Sequence, residues 1–170
     1  SFDSGDWFNR LDWTGQDNFF GTGLPPAPDN AASWPLMRPR LADPRLKPSP
    51  ADIDWTRAAF LDLMRIRSSS TLFRLRSAAD VHERLRFLNT GPEQVPEVIA
   101  AHLQGNGYAG AGFREIVYLV NVDLSPRSLT FATERDKPYV LHPVHREPGA
   151  ADRRAVGESH YDPPTGRFTV

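Results

Sequence analysis

The chain has 170 residues, with 20 basic and 21 acidic side chains and a net charge of −1, which gives no electrostatic footprint for nucleic acid, and no basic amphipathic stretch suggests a membrane surface, so both partners are disfavoured. It has no cysteine, so disulfide frameworks, thiolate metal sites and cysteine nucleophiles are excluded, while the compartment stays open. Hydrophobic residues are 39% and prolines number 16, yet four Trp, ten Phe and four Tyr argue against disorder, and no apolar run approaches the roughly 18 residues of a membrane span.

Residues 1 to 30 show neither helical nor strand periodicity and are punctuated by Gly5, Gly15, Gly21, Gly23 and Leu24-Pro-Pro-Ala-Pro28, a loop pattern. So long a loop is usually functional, and its aromatics set it apart from a flexible tail, the bland alternative. Asn30 or Ser33 is placed to cap a short helix from Trp34 towards Leu41 and Asp43, with Pro35 tolerable in its first turn, Pro39 disturbing it and Pro44 ending it. The clearest helix start follows: Ser49 as N-cap, Pro50 at N1 and Asp52 at N3. Ile53, Arg57, Phe60, Met64 and Arg67, with Leu61 and Leu63 beside them, recur at helical spacing, so an amphipathic helix is expected from about 50 to 68. Such a stripe needs a surface to lie on.

The period changes after Leu72-Phe-Arg-Leu75, and a domain boundary is expected near residue 76. Alternation from Val81 to Phe87 reads as a strand, as do 98–103, 116–122, 128–133, 139–141, 159–161 and 167–170, the last two flanking Pro163-Pro-Thr-Gly166. About seven short strands with Gly and Pro turns point to an antiparallel sandwich. Gly105-Asn-Gly-Tyr-Ala-Gly-Ala-Gly112 has no GKS/T ending and no helix after it, so it reads as a hairpin loop rather than a phosphate cradle. An opening on Ser-Phe-Asp and an ending on Arg167-Phe-Thr-Val170, within a strand pattern, read as cut ends of a longer chain.

The candidate chemistry sits in the first loop. Asp6 and Arg10, four apart, can converge on vicinal hydroxyls, the carboxylate accepting and the guanidinium donating, and Trp7, Phe8 and Trp13 offer flat faces to sugar rings. Equally, Asp6 and Arg10 can pair with each other or with the backbone while the aromatics anchor the loop. His142-Pro-Val-His145 is the only close histidine pair, but the sequence places no further ligands for a metal; Ser68-Ser-Ser70 lacks a nucleophile turn and reads as a helix end.

Ser4-Gly-Asp-Trp-Phe-Asn-Arg-Leu-Asp-Trp13, with Gln16-Asp-Asn18, Gly23-Leu-Pro25, Trp34-Pro-Leu-Met37, Leu41-Ala-Asp-Pro44, Leu46-Lys-Pro48, Arg65-Ile-Arg67, Leu72-Phe-Arg-Leu75 and Arg86-Phe-Leu-Asn-Thr-Gly91, resembles the bacterial pullulanases and limit dextrinases. These are the α-1,6-debranching branch of the α-amylase superfamily, glycoside hydrolase family 13. Ile116-Val-Tyr-Leu-Val-Asn-Val122 continues the likeness more loosely. The resemblance implies an α+β fragment: residues 1–76 as the last βα-loop and helix of a catalytic (β/α)8 barrel, and residues 77–170 as a C-terminal antiparallel β-sandwich whose last strand is incomplete.

It further implies that Asp6 and Arg10 bind glucose residues on the non-reducing side of the scissile bond, with Trp7, Asn9 and Trp13 as weaker candidates. The retaining mechanism uses an aspartate nucleophile and a glutamate acid/base about 5 Å apart; nothing here matches the motifs that carry them. Asp3, Asp12 and Asp17 are therefore not to be promoted to catalysts because the family has an aspartate nucleophile, and the chain alone is expected to show no turnover. The implied partners are an α-glucan substrate and the remainder of the barrel, with no nucleic acid or membrane. No organic cofactor is implied, and a structural calcium is possible in the full-length enzyme. A non-catalytic carbohydrate-binding module is the alternative, and a purely structural fragment the third.

Overall fold

The structure, a computed structural model, describes residues 11–170. The chain forms two compact units, Ser1–Ala58 and Ala59–Val170, and the division falls inside a long helix.

In the first unit an irregular segment leads into a single turn, α1 (Ala27–Asn30), where open loop was expected; Pro28 in that turn presets a helical φ. A 3₁₀ turn, Ala31–Ser33, then leads to α2 (Trp34–Leu41). Pro35 stands in the first turn of α2, where its missing N–H has no intrahelical partner to lose, and Pro39 lies inside it. The helix start is tied back by the indole of Trp34, which donates to the Pro25 carbonyl at 2.9 Å. Asp43 then caps the 3₁₀ turn Pro44–Leu46 by accepting from the Arg45 N–H.

The long helix α3 (Pro50–Ser68) begins as its sequence signals. Ser49 Oγ accepts the Asp52 N–H at 3.2 Å, and the Asp52 carboxylate takes the Ser49 N–H at 2.8 Å, a reciprocal capping box. No residue of this helix is buried. Its half-buried flank toward the end is Ala59, Asp62 and Ile66, whereas Phe60, Leu63 and Met64 on the apolar stripe are 61%, 57% and 47% exposed.

In the second unit Ser70 caps a 3₁₀ turn, Thr71–Arg74. The alternation from Val81 to Phe87 does not form one strand: Ala78–Arg84 is a helix, α4, and only Leu85–Phe87 is extended, as β1. The reason is local, because Ser77 Oγ accepts the Asp80 N–H at 3.0 Å and caps a turn in which Val81 and Leu85 lie one turn apart. Strands β2 (Val98–Gln104) and β3 (Glu115–Asn121) follow. β1-β2-β3 is an antiparallel sheet with Leu85 opposite Leu103 and Leu103 opposite Ile116. The glycine-rich stretch is the hairpin loop between β2 and β3, and a Cβ on Gly105 would collide with the Phe113 carbonyl.

A second antiparallel sheet has the order β4-β6-β5, from β4 (Ser128–Thr130), β5 (His160–Asp162) and β6 (Arg167–Thr169). Single-turn helices α5 (Pro143–Arg146) and α6 (Arg154–Gly157) lie between β4 and β5 in sequence. The described residues thus hold six strands rather than about seven. The expected strand 128–133 stops at Thr130 and gives way to a 3₁₀ turn, Ala132–Glu134. Tyr139–Leu141 joins no sheet; Pro138 before it has no N–H to give a ladder.

Two apolar centres hold this unit. Leu72, Leu103 and Ala111 are buried with Phe73, Leu75, Leu85, Tyr108, Ile116 and Tyr118 packed on them. Beside the second sheet, Phe168 stacks with Tyr161, Phe131 and Tyr139 at ring-centroid separations of 4.6 to 6.0 Å. The overall class is α+β with antiparallel sheets.

Candidate functional site

Of the sequence-derived site residues, Asp6, Trp7, Asn9 and Arg10 lie outside the described residues. Trp13 lies within them and is 93% exposed. Its neighbour Asp12 organises the loop: one carboxylate oxygen accepts the Thr14 N–H at 2.9 Å, and the other accepts the N–H groups of Gln16 at 2.9 Å and Asp17 at 3.0 Å. The Thr14 hydroxyl donates to the same carboxylate. These bonds, the Thr14 hydroxyl first among them, hold the Asp12 carboxyl down to about 2. Asp17 accepts the Phe19 N–H at 2.8 Å and pairs with Lys47 at 3.2 Å. Phe19 takes a positive φ of 60°, and at Gly21, φ 79°, a Cβ would stand 2.7 Å from the Leu41 carbonyl oxygen. Both aspartates have structural partners within the loop and at Lys47.

The second unit contains a polar cluster that sequence reasoning did not find. His102 on β2 sits 3.2 Å from Glu115 on β3, and Lys137 Nζ donates to Glu115 at 2.8 Å and to Glu134 at 2.9 Å. The Tyr139 hydroxyl lies 2.6 Å from Glu134 and 3.0 Å from Glu115. Glu134 is fully buried and also receives Thr133 Oγ1 at 2.9 Å and Arg86 at 3.4 Å. Burial alone would push both carboxyls up. Hydrogen bonds from Lys137, His102 and Tyr139 outweigh it and bring Glu115 down to about 2, and those from Tyr139, Lys137 and Thr133 lower Glu134. Burial, together with these two carboxylates, raises the Tyr139 phenol.

A pair of close carboxylates invites a glycosidase reading, but a general acid needs a raised pKa, and here both carboxyls are lowered. Metal binding fares no better. The donor atoms of His102, Glu115 and Glu134 lie within 4.8 Å of one another, but the Lys137 ammonium already bridges the carboxylates. An imidazole beside an ammonium also does not suit calcium, which takes six to eight oxygens. The cluster is an interlock joining β1, β2, β3 and the 131–139 segment. A polar concavity of about 440 Å³ opens beside it, lined by Arg84, Arg86, His102, Gln104, Glu115 and Lys137 among others.

Ser69 Oγ and His142 Nε2 are 3.0 Å apart, which resembles a nucleophile and base. His142 Nδ1, however, accepts the Val144 N–H at 3.3 Å. In the neutral ring Nε2 therefore carries the proton and donates to the serine, the reverse of what base catalysis requires. Burial, with His145 nearby, lowers the His142 pKa and keeps that neutral form.

The described residues thus hold a capped helix with an exposed apolar stripe, a loop braced by aspartates and a pair of small antiparallel sheets. Residues 15–170 match the family described as alpha-1,6-glucosidases, pullulanase-type, C-terminal, and the chain belongs to that family. It is 42% identical to chloroplastic pullulanase 1 of Arabidopsis thaliana over 178 aligned residues, covering 100% of this chain and 18% of that protein. Identity to a Klebsiella aerogenes pullulanase is 34% over 110 residues, 65% of this chain and 10% of the relative. The maltotriose complex of Klebsiella pneumoniae PulA superposes with a TM-score of 0.79 at 28% identity, over 100% of this chain and 18% of that one. The chain thus spans about a fifth or less of the length of these relatives.

Proposed function

We propose that this chain is the C-terminal part of a pullulanase-type debranching enzyme that hydrolyses α-1,6-glucosidic bonds in pullulan, limit dextrins or amylopectin. The observation that carries the reading is the similarity along the whole chain to the Arabidopsis pullulanase. In this reading residues 1–76 form the loop and helix after the last strand of a (β/α)8 barrel, and residues 77–170 form the C-terminal β-sandwich. The exposed stripe of Phe60, Leu63 and Met64 packs on the rest of that barrel. A loop after the last strand opens at the C-terminal face of such a barrel, where active sites are built. Asp6, Arg10, Trp7, Asn9 and Trp13 accordingly border the glucan cleft, while the nucleophile and acid/base lie upstream.

The test is hydrolysis of pullulan by the intact polypeptide that carries this segment. Release of maltotriose is expected. Binding of pullulan without release would overturn the enzyme reading in favour of a carbohydrate-binding module, for which the exposed indole of Trp13 is the supporting observation.

A further inference from the structure

We propose that Asp12 is a positioning residue for glucan binding: it holds the 12–17 turn rigid so that the indole of Trp13 is presented to a sugar ring. The inference rests on the pullulanase reading given above. Trp13 is 93% exposed and lies between Asp12 and Thr14, the two ends of the tightest bonds in the loop. Asp12 engages the backbone N–H groups of Thr14, Gln16 and Asp17 and the Thr14 hydroxyl, and the Gly15 N–H closes on the Asp12 carbonyl at 3.1 Å. A second carboxylate continues the brace, because Asp17 takes the Phe19 N–H and the Lys47 ammonium. No residue between 11 and 20 is fully buried, and hydrogen bonds hold this turn.

The chemistry of the brace is specific to a carboxylate. Its two oxygens face donors on both sides, and an asparagine would present an NH₂ to one of those sets, opposing donor to donor. Fixing a loop before the ligand arrives lowers the entropy lost on binding, and a flat indole packs on the C–H face of a sugar ring. The Thr14 hydroxyl and the backbone donors around it hold the Asp12 carboxyl down to about 2, the direction expected of a carboxylate that accepts several hydrogen bonds.

The experiment compares Asp12→Asn, Thr14→Val, Trp13→Ala and Asp12→Asn/Trp13→Ala in the intact polypeptide. Its readouts are steady-state hydrolysis of pullulan and ¹⁹F NMR of 5-fluorotryptophan-labelled protein, with the Trp13 resonance assigned by loss in Trp13→Phe. Asp12→Asn is expected to raise KM by roughly three- to tenfold with kcat within about twofold, and Thr14→Val to raise it less. The double variant should be no worse than Trp13→Ala, and the Trp13 resonance should shift in Asp12→Asn without ligand. If Trp13→Ala raises KM and Asp12→Asn does not, Asp12 has no positioning role, although the glucan reading stands. An unmoved Trp13 resonance in Asp12→Asn overturns the inference whether or not the protein hydrolyses pullulan. Unchanged KM in Trp13→Ala removes Trp13 from the glucan site, and the inference with it.

Discussion

Ser70 shows how much one buried polar side chain can carry. It is 1% exposed, accepts the Leu72 N–H at 3.0 Å and donates to the Ala111 carbonyl, joining the end of α3 to the hairpin loop. Ser70→Ala leaves both groups unpaired and is expected to cost about 2 kcal/mol, read as a lower urea midpoint at unchanged m-value. The interlock residues give a pH signature. Glu115 falls from an ordinary 4.5 to about 2 on folding, and Glu134 is lowered as well. For a depressed carboxyl the stabilisation is fully present above the unfolded value and is lost as pH falls through the folded one. Thermal stability should therefore drop between about pH 4.5 and pH 2, and Glu115→Gln should flatten that limb while lowering stability at neutral pH. A Tm against pH series on both proteins checks it. An unflattened limb would remove Glu115 from the interlock.

At the scale of elements, α3 is the informative case. Its cap and its stripe are both legible, since each depends on residues within four positions of one another. The burial of the stripe is not legible, and in this chain Phe60 and Met64 face outward. On the proposed reading these side chains are covered in the intact polypeptide. Phe60→Ser should then destabilise that polypeptide by about 2 kcal/mol and leave the isolated 170-residue chain nearly unchanged, as paired chemical denaturation of the two would show. Equal effects in both would mean that nothing covers the stripe. The stretch from Val81 to Phe87 illustrates the opposite failure. Its alternation fits a strand, but Ser77 and Asp80 carry a cap signal that local pattern reading passed over. Short apolar runs fit both periods, and the cap decides.

At the scale of the molecule, the chain matches its family from residue 15 to its last residue yet spans 18% of the Arabidopsis relative. Neither carboxyl of the Glu115–Glu134 pair has the raised pKa of a general acid. On the proposed reading, the isolated chain should release no reducing ends from pullulan under conditions in which the intact polypeptide does. Hydrolysis by the isolated chain would place catalytic carboxylates within these residues and overturn the assignment of nucleophile and acid/base to upstream sequence.

The sequence by itself determined the caps of α3, the β2–β3 hairpin with its glycine loop and the membership of the family. Each rests on neighbours in the chain or on an ordered series of short motifs. Only the tertiary structure brought His102, Glu115, Glu134, Lys137 and Tyr139 together. Their convergence depends on the β2–β3 register and on a 3₁₀ turn replacing the end of an expected strand, and no spacing along the chain records that. It also showed the Asp12 carboxylate to be held within its loop, because beside the Thr14 hydroxyl the donors that hold it are backbone N–H groups, which every residue but proline carries and which only the fold can aim.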